Sequence, residues 1–263
     1  MPITVARIFR YPVKSMLGEE LTQARIDGRG VVGDRAYAVV DPVENRVGSA
    51  KIAHKWKRLY EFQAQYPPSP DGGLPPPVVL FPDGVRLPVT ELTVEERLSR
   101  ELGRPVRLVS EKPPDLKLEA VKPGLDPIEL KETVDFPVVN PFFDLAALHL
   151  LTTSSLAYLR SLYPRGDFDP RRFRPNLVLD AAGEEGFLEQ KWVGETVSIG
   201  PEVRLRILGP THRCAATVLP HHGLPYDPDI LRTANRHNRG NVGVYASVVQ
   251  GGVVRLGDEV RIA

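Results

Sequence analysis

The sequence predicts a mainly β protein with some helix, an α+β fold in which a β-barrel domain follows a smaller N-terminal β-rich module. Three observations carry this. Many short runs alternate apolar with polar residues and end at Gly, Pro, Asn or Asp turns. Two stretches, ending at Leu102 and Tyr163, read as helices. The first strands follow one another through tight connections, as in antiparallel barrels rather than βαβ units.

Residues 4–11 read as a first strand ended by Pro12, and residues 21–26 alternate as a second. Residues 28–33 are a turn-rich link, and residues 35–40 form a third strand closed by Asp41 and Pro42. These three are expected to form a meander. Residues 57–66 fit helix or strand equally. Residues 66–77 are too proline-rich for helix or central strand, since proline fixes φ and removes a ladder donor. Residues 78–81 and 85–87 flank Pro82-Asp83-Gly84 as a hairpin. Residues 89–102 end in a helix with Gly103 as its C-cap, and residues 106–110 form another strand.

Residues 112–141 mix proline and charge with few aromatics. They are expected to separate two parts, residues 1–115 and 116–263. After them, residues 153–163 read as a helix capped by Thr153 or Ser154. Residues 177–180, 196–199, 204–208, 242–249 and 259–262 read as strands. Gly251-Gly252 is expected to turn residues 245–249 into a hairpin with 253–256. No internal repeat is visible.

Composition narrows the function classes. Hydrophobic residues at 42% and charged residues at 25% fit an ordinary globular protein. With 34 basic and 33 acidic side chains the net charge is +1, which gives no reason to expect nucleic acid or a membrane surface. A single cysteine excludes an intramolecular disulfide framework, a zinc ribbon and a cysteine-ligated iron–sulfur cluster. No signal peptide or spanning apolar run is visible, so a cytoplasmic location is expected. Frequent proline and scarce methionine fit a thermophile or a high-GC coding bias.

Five places could carry chemistry. Cys214 lies just after a strand, beside His212 and Arg213; it is a soft-metal ligand or a small buried hydrophobe, and the residue itself leaves both open. Lys14 and Ser15 pair a cation with a hydroxyl, as phosphate sites do, or decorate a loop. Arg35 follows Gly33-Asp34 and either points into a cleft or pairs with Asp34. Arg171, Arg172 and Arg174 surround Phe173 ahead of a strand, where rigid structure would hold them and Asn176. His221, His222 and residues 232–241, with Arg236 and Arg239, are expected to line an entrance at most. Nucleic-acid binding through Arg171, Arg172, Arg174, Arg236 and Arg239 is disfavoured by the near-zero net charge and 7% aromatic content.

Taken together, Tyr11-Pro-Val-Lys-Ser15, Gly33-Asp-Arg35, Arg174-Pro-Asn176, Arg213-Cys214, Val242-Gly-Val-Tyr245 and Arg255-Leu-Gly-Asp-Glu-Val260 resemble, in this order, a MOSC-domain protein. The N-terminal part is similar to the β-barrel module that precedes MOSC in the mitochondrial amidoxime-reducing component and its bacterial relatives. The resemblance implies a molybdenum cofactor, Mo-molybdopterin, with Cys214 as both metal ligand and catalytic residue. It implies pterin or phosphate contacts at Lys14, Ser15, Arg35, Arg174 and Asn176, with Arg213 beside the ligand. It also implies contacts from a hydroxyl-bearing turn at Thr152, Thr153 and Ser154, and Tyr245 near the cofactor.

Such proteins reduce small N-hydroxylated substrates with electrons that here would come from a separate redox protein. The alternative is a cofactor or sulfur carrier using Cys214 without turnover. Pyridoxal-phosphate binding is a looser implication of the same family. The expected partners include neither nucleic acid nor membrane, and the oligomeric state is left open.

Overall fold

Seven strands close into a barrel. They are β1 (Ile3–Arg10), β2 (Leu148–Thr152), β3 (Leu177–Asp180), β4 (Thr196–Ile199), β5 (Val203–His212), β6 (Asn241–Gln250) and β7 (Glu259–Ile262). The computed structural model describes residues 2–69, 73–121, 132–138, 142–143, 145–181 and 183–262. The wall runs β1-β3-β2-β6-β5-β4-β7 and returns to β1. Every neighbouring pair is antiparallel except β2 with β3. A closed ring with an odd number of strands cannot alternate direction throughout, so a parallel pair is forced. Parallel neighbours need a crossover, and the helix Thr153–Leu162 lies in it.

Period-two patterning fills the barrel. Val203, Leu205 and Ile207 of β5 point inward while Arg204, Arg206 and Leu208 face out. Leu148 and Leu150, Leu177 and Leu179, Val197 and Ile199, and Val244 and Ala246 complete the same core. On β1 the inward residues are Val5 and Ile8, three apart. A register shift between Val5 and Arg7 makes that spacing possible.

The N-terminal module has its own core of Val13, Val39, Ile52, Trp56, Phe62, Val79, Phe81 and Leu98. A five-stranded sheet contains Ala38–Asp41, Arg46–Val47 and Arg107–Val109, and ends in the hairpin Lys117–Val121 with Thr133–Pro137. The helix Leu92–Leu102 stops at Gly103 in the left-handed conformation, φ 67°.

The mainly β fold, the barrel and the β-rich N-terminal module are as the sequence predicts. Several details differ. The first three strands form no meander: β1 joins the barrel, Gln23–Asp27 pairs with Gly252–Arg255, and Ala38–Asp41 joins the five-stranded sheet. The same pairing removes the expected hairpin at Gly251-Gly252. Residues 57–66 divide into a 3-10 turn, Lys57–Glu61, and a strand, Gln63–Gln65. The expected boundary region contains the 117–121/133–137 hairpin, while residues 122–131 and 139–141 lie outside the described residues. The cap of Thr153–Leu162 is Thr152, whose Oγ1 accepts from Ser155 N at 3.2 Å. Among the described residues no helix is long and apolar enough to cross a membrane.

Leu205 is fully buried in the barrel, whereas Tyr226 is 56% exposed. Leu205→Ala is therefore expected to lower stability by about 2–5 kcal/mol. Tyr226→Ala should stay within about 0.5 kcal/mol of wild type. Urea-denaturation midpoints compare the two.

Candidate functional site

Strand register brings distant residues together. Ile8 of β1 lies opposite Leu177 of β3, so the chain leaving β1 meets the chain entering β3. Phe9 N donates to Asn176 O at 2.8 Å. Residues 11–15 therefore lie against residues 174–176. On the other side of β3, Asn176 N donates to His149 O at 2.8 Å and His149 N donates to Asn176 Oδ1 at 3.2 Å. His149 lies opposite Tyr245 on β6, and Tyr245 lies opposite Gly209 on β5. Three register shifts interrupt the β5–β6 pairing, and the last two, at Ile207/Gly209 and Pro210/His212, re-aim the end of β5. Beyond them, Arg213 Nη2 donates to Phe173 O at 2.7 Å.

Tyr11 is the platform of this cluster. It is buried, and its OH donates to Pro175 O at 3.2 Å. The Arg35 and Arg174 guanidiniums lie 4.5 and 4.2 Å from its ring centroid, and Arg174 is also 5.6 Å from Tyr60. Cation–π contacts of this kind contribute roughly 0.5–2 kcal/mol each. Buried Asp34 pairs with Arg35 and accepts from Tyr11 N at 2.7 Å. Arg35 Nη2 donates to Arg174 O at 3.3 Å, and Arg174 Nη1 to Met16 O at 2.6 Å. Burial pulls the Arg174 guanidinium below its ordinary value, yet a guanidinium stays charged at neutral pH. Burial likewise pushes the Tyr11 phenol up, so Tyr11 stays neutral.

The backbone is strained at these positions. Ser15, Arg35 and Arg174 have φ of 63°, 47° and 51°. Left-handed conformations cost a residue with a side chain roughly 1–2 kcal/mol, and such strain concentrates at functional sites.

Together these residues line a cavity of about 650 Å³, within the range of small-molecule sites. Lys14, Arg35, Lys51, Arg174 and Arg213 supply five basic groups, and no carboxylate is among the described lining residues. Lys14 is buried and donates to Phe142 O at 3.0 Å. Arg213 Nε is buried without a hydrogen-bond partner among the described residues. Half-buried Cys214 also lines the cavity. Its carbonyl accepts from Thr217 N at 3.1 Å and Thr217 Oγ1 at 3.0 Å, which fixes the backbone behind the thiol.

Among the described residues no group of three or more His, Cys, Asp or Glu could hold a metal ion. A metal at Cys214 would have to bring its other ligands with it. The donor set therefore suits an anionic group carrying a soft metal better than a bare ion.

Of the residues singled out in the sequence, Lys14, Ser15, Arg35, Arg174, Asn176, Arg213, Cys214 and Tyr245 all line the cavity. Thr152, Thr153 and Ser154 do not. The Thr152 hydroxyl donates to buried Glu189 at 2.5 Å, Thr153 to Asp180 at 3.0 Å and Ser154 to Gly186 O at 2.9 Å. Arg172 is buried and bonds the carbonyls of Asp167, Thr217 and Pro225; Arg171 pairs with Asp169. His221 is buried beneath Tyr60, stacked at 5.1 Å.

Sequence reasoning missed Ser49, Lys51, Tyr60 and His149 as lining residues. His149 had one available signal, a polar residue inside an apolar run. Gly243 makes room for its ring, since a Cβ there would come within 2.1 Å of His149 Nε2.

Both buried imidazoles are neutral at pH 7. Burial, then the Arg213 charge, holds His149 well below its usual range, while burial pulls His221 to about 4. In the unfolded chain both take up a proton near pH 6.5, which the folded state resists. Stability should therefore hold above about pH 6.5 and fall towards pH 4, by up to about 1.4 kcal/mol per pH unit for each histidine. Urea midpoints at pH 7 and pH 5 test this, and His149→Gln should flatten the slope.

The chain matches two family models, the MOSC N-terminal beta barrel domain over residues 2–74 and the MOSC domain over residues 139–261. It is similar to the molybdenum cofactor sulfurases of Homo sapiens and Bos taurus, at 24% and 23% identity over 93% and 92% of its own length. It spans only 30% of the length of either relative. The YUAD protein from Bacillus subtilis shares the fold, with a TM-score of 0.50 at 11% identity, covering 100% of this chain and 96% of that one. The chain is therefore a member of the MOSC-domain family, with the MOSC N-terminal beta barrel domain ahead of its MOSC domain.

Proposed function

We propose that this protein binds a molybdenum cofactor and uses it as an oxidoreductase on small N-hydroxylated substrates. The observation that carries the reading is the meeting of five basic side chains, without a carboxylate among the described lining residues, at the chain's single cysteine. With the parts divided as residues 1–115 and 116–263, Lys14, Ser15 and Arg35 come from the first. Arg174, Asn176, Arg213, Cys214 and Tyr245 come from the second. The cofactor site then lies where the two meet, as small-molecule sites often do.

The roles follow from the donor chemistry. Lys14, Arg35, Lys51, Arg174 and Arg213 would hold anionic groups through charge-assisted hydrogen bonds. Ser15, Asn176 and Tyr245 offer neutral polar contacts. Cys214 Sγ would ligate the metal as its one protein thiolate. The cofactor supplies two-electron oxygen-atom transfer, and the protein fixes and shields it. Neutral His149 adds no charge beside the cation set. A separate redox protein would deliver the electrons. The MOSC domain and its molybdenum cofactor sulfurase relatives support a function tied to this cofactor. The assignment to amidoxime-reducer-like enzymes is part of the proposal.

The names of those relatives also favour a second reading, a carrier of the cofactor or its sulfur through Cys214. Cofactor retained without turnover of any N-hydroxylated compound, or an extra sulfur atom on Cys214 by mass spectrometry, would select it.

The test is metal and pterin content after production in a host that makes the cofactor. Wild type should carry both in near-equal amounts. Arg174→Gln and Cys214→Ser should each lower retained molybdenum about tenfold or more. Wild type without molybdenum or pterin, or a Cys214→Ser protein that keeps the full complement, would overturn the proposal.

A further inference from the structure

The cavity has a second kind of wall. Leu118, Ala120, Phe136, Phe143, Leu145 and Ala146 line it without a charge. They come from the hairpin Lys117–Val121 with Thr133–Pro137 and from the chain just after it.

Strand alternation explains why this face is apolar. Leu118 lies opposite Phe136, and Glu119 lies opposite Asp135. Successive side chains point to opposite faces, so Leu118, Ala120 and Phe136 share the cavity side while the carboxylates stand on the reverse; Val121 and Pro137, at the strand ends, also border the cavity. Two carboxylates directly opposite would repel. Lys55 Nζ bonds Glu119 at 2.9 Å, and Arg46 bonds Asp135 twice at 3.0 Å. These pairs offset the repulsion and clamp the hairpin to the N-terminal module with its apolar face turned inward.

At the mouth, Leu145 is 77% exposed and Phe136 43% exposed. Large apolar side chains gathered at the rim of a cavity mark a ligand surface, unlike single apolar residues scattered elsewhere.

We infer that this wall receives the apolar body of the substrate, and that the protein selects small uncharged molecules with an aromatic or alkyl body. The inference rests on the cofactor reading above for the occupant of the cationic wall. With the basic groups engaged by the cofactor, a charged substrate against the apolar wall would lose its hydration without gaining a partner. An uncharged head with an apolar body fits the remaining surface, and burying a phenyl group against Phe136, Phe143 and Leu145 supplies the selectivity.

Benzamide and acetamide test this, because they share an uncharged amide and differ in the apolar body. Each is titrated by calorimetry into the holoprotein and into Phe136→Ala and Leu145→Ala, with molybdenum measured in every sample. Benzamide should bind about tenfold more tightly than acetamide, and both variants should lose most of that preference. Equal binding of the two amides, or an undiminished preference in both folded variants, would overturn the inference. Full molybdenum content without a preference removes the apolar wall alone. A preference lost in the variants, in protein without molybdenum, supports the wall and removes the cofactor reading.

Discussion

The site depends on the pairing of β1 with β3. Because Ile8 faces Leu177 in an antiparallel register, Tyr11–Ser15 must meet Arg174–Asn176. A one-residue slip would turn Val5 and Ile8 out of the barrel core. It would also move Tyr11 from beneath Arg174. The burial that closes the barrel therefore fixes the cationic cluster too.

That cluster is held at an electrostatic cost. Arg35 and Arg174 share the Tyr11 ring, and Lys14 is buried nearby. Like charges brought together in a partly buried site destabilise it. Asp34, the aromatic faces of Tyr11 and Tyr60, and the carbonyls of Met16, Phe142 and Arg174 offset part of this. An anion in the cavity would offset more. The left-handed backbone at Ser15, Arg35 and Arg174 points the same way: fold stability alone gives little reason to strain three residues around one cavity.

Much of this was legible in the sequence, for identifiable reasons. Lys14, Ser15, Arg35, Arg174 and Asn176 stand beside strand ends marked by proline or glycine, which local punctuation reveals, but it was the order of motifs in the family resemblance that singled them out. β5 was legible because it alternates cleanly. β2 was not, because all five of its residues are buried and the run shows no period. The helix Asp229–Asn238 was missed even though Ile230, Leu231 and Ala234 stand at helical spacing and are buried on one face. Thr152–Ser154 were placed near the cofactor by the family resemblance alone. Nothing local reveals that Glu189, far along the chain, takes the Thr152 hydroxyl. The platform role of Tyr11 is equally non-local, since it follows from two arginines brought in by separate elements.

On the proposed function the chemistry would narrow to one bond, between Cys214 Sγ and a metal for which the described residues offer no cluster of three or more His, Cys, Asp or Glu ligands. X-ray absorption at the molybdenum edge, on wild type and Cys214→Ser samples concentrated to the same molybdenum concentration, measures it directly. One sulfur fewer around molybdenum in Cys214→Ser is the predicted result. An identical sulfur shell in the two proteins would contradict Cys214 as the ligand.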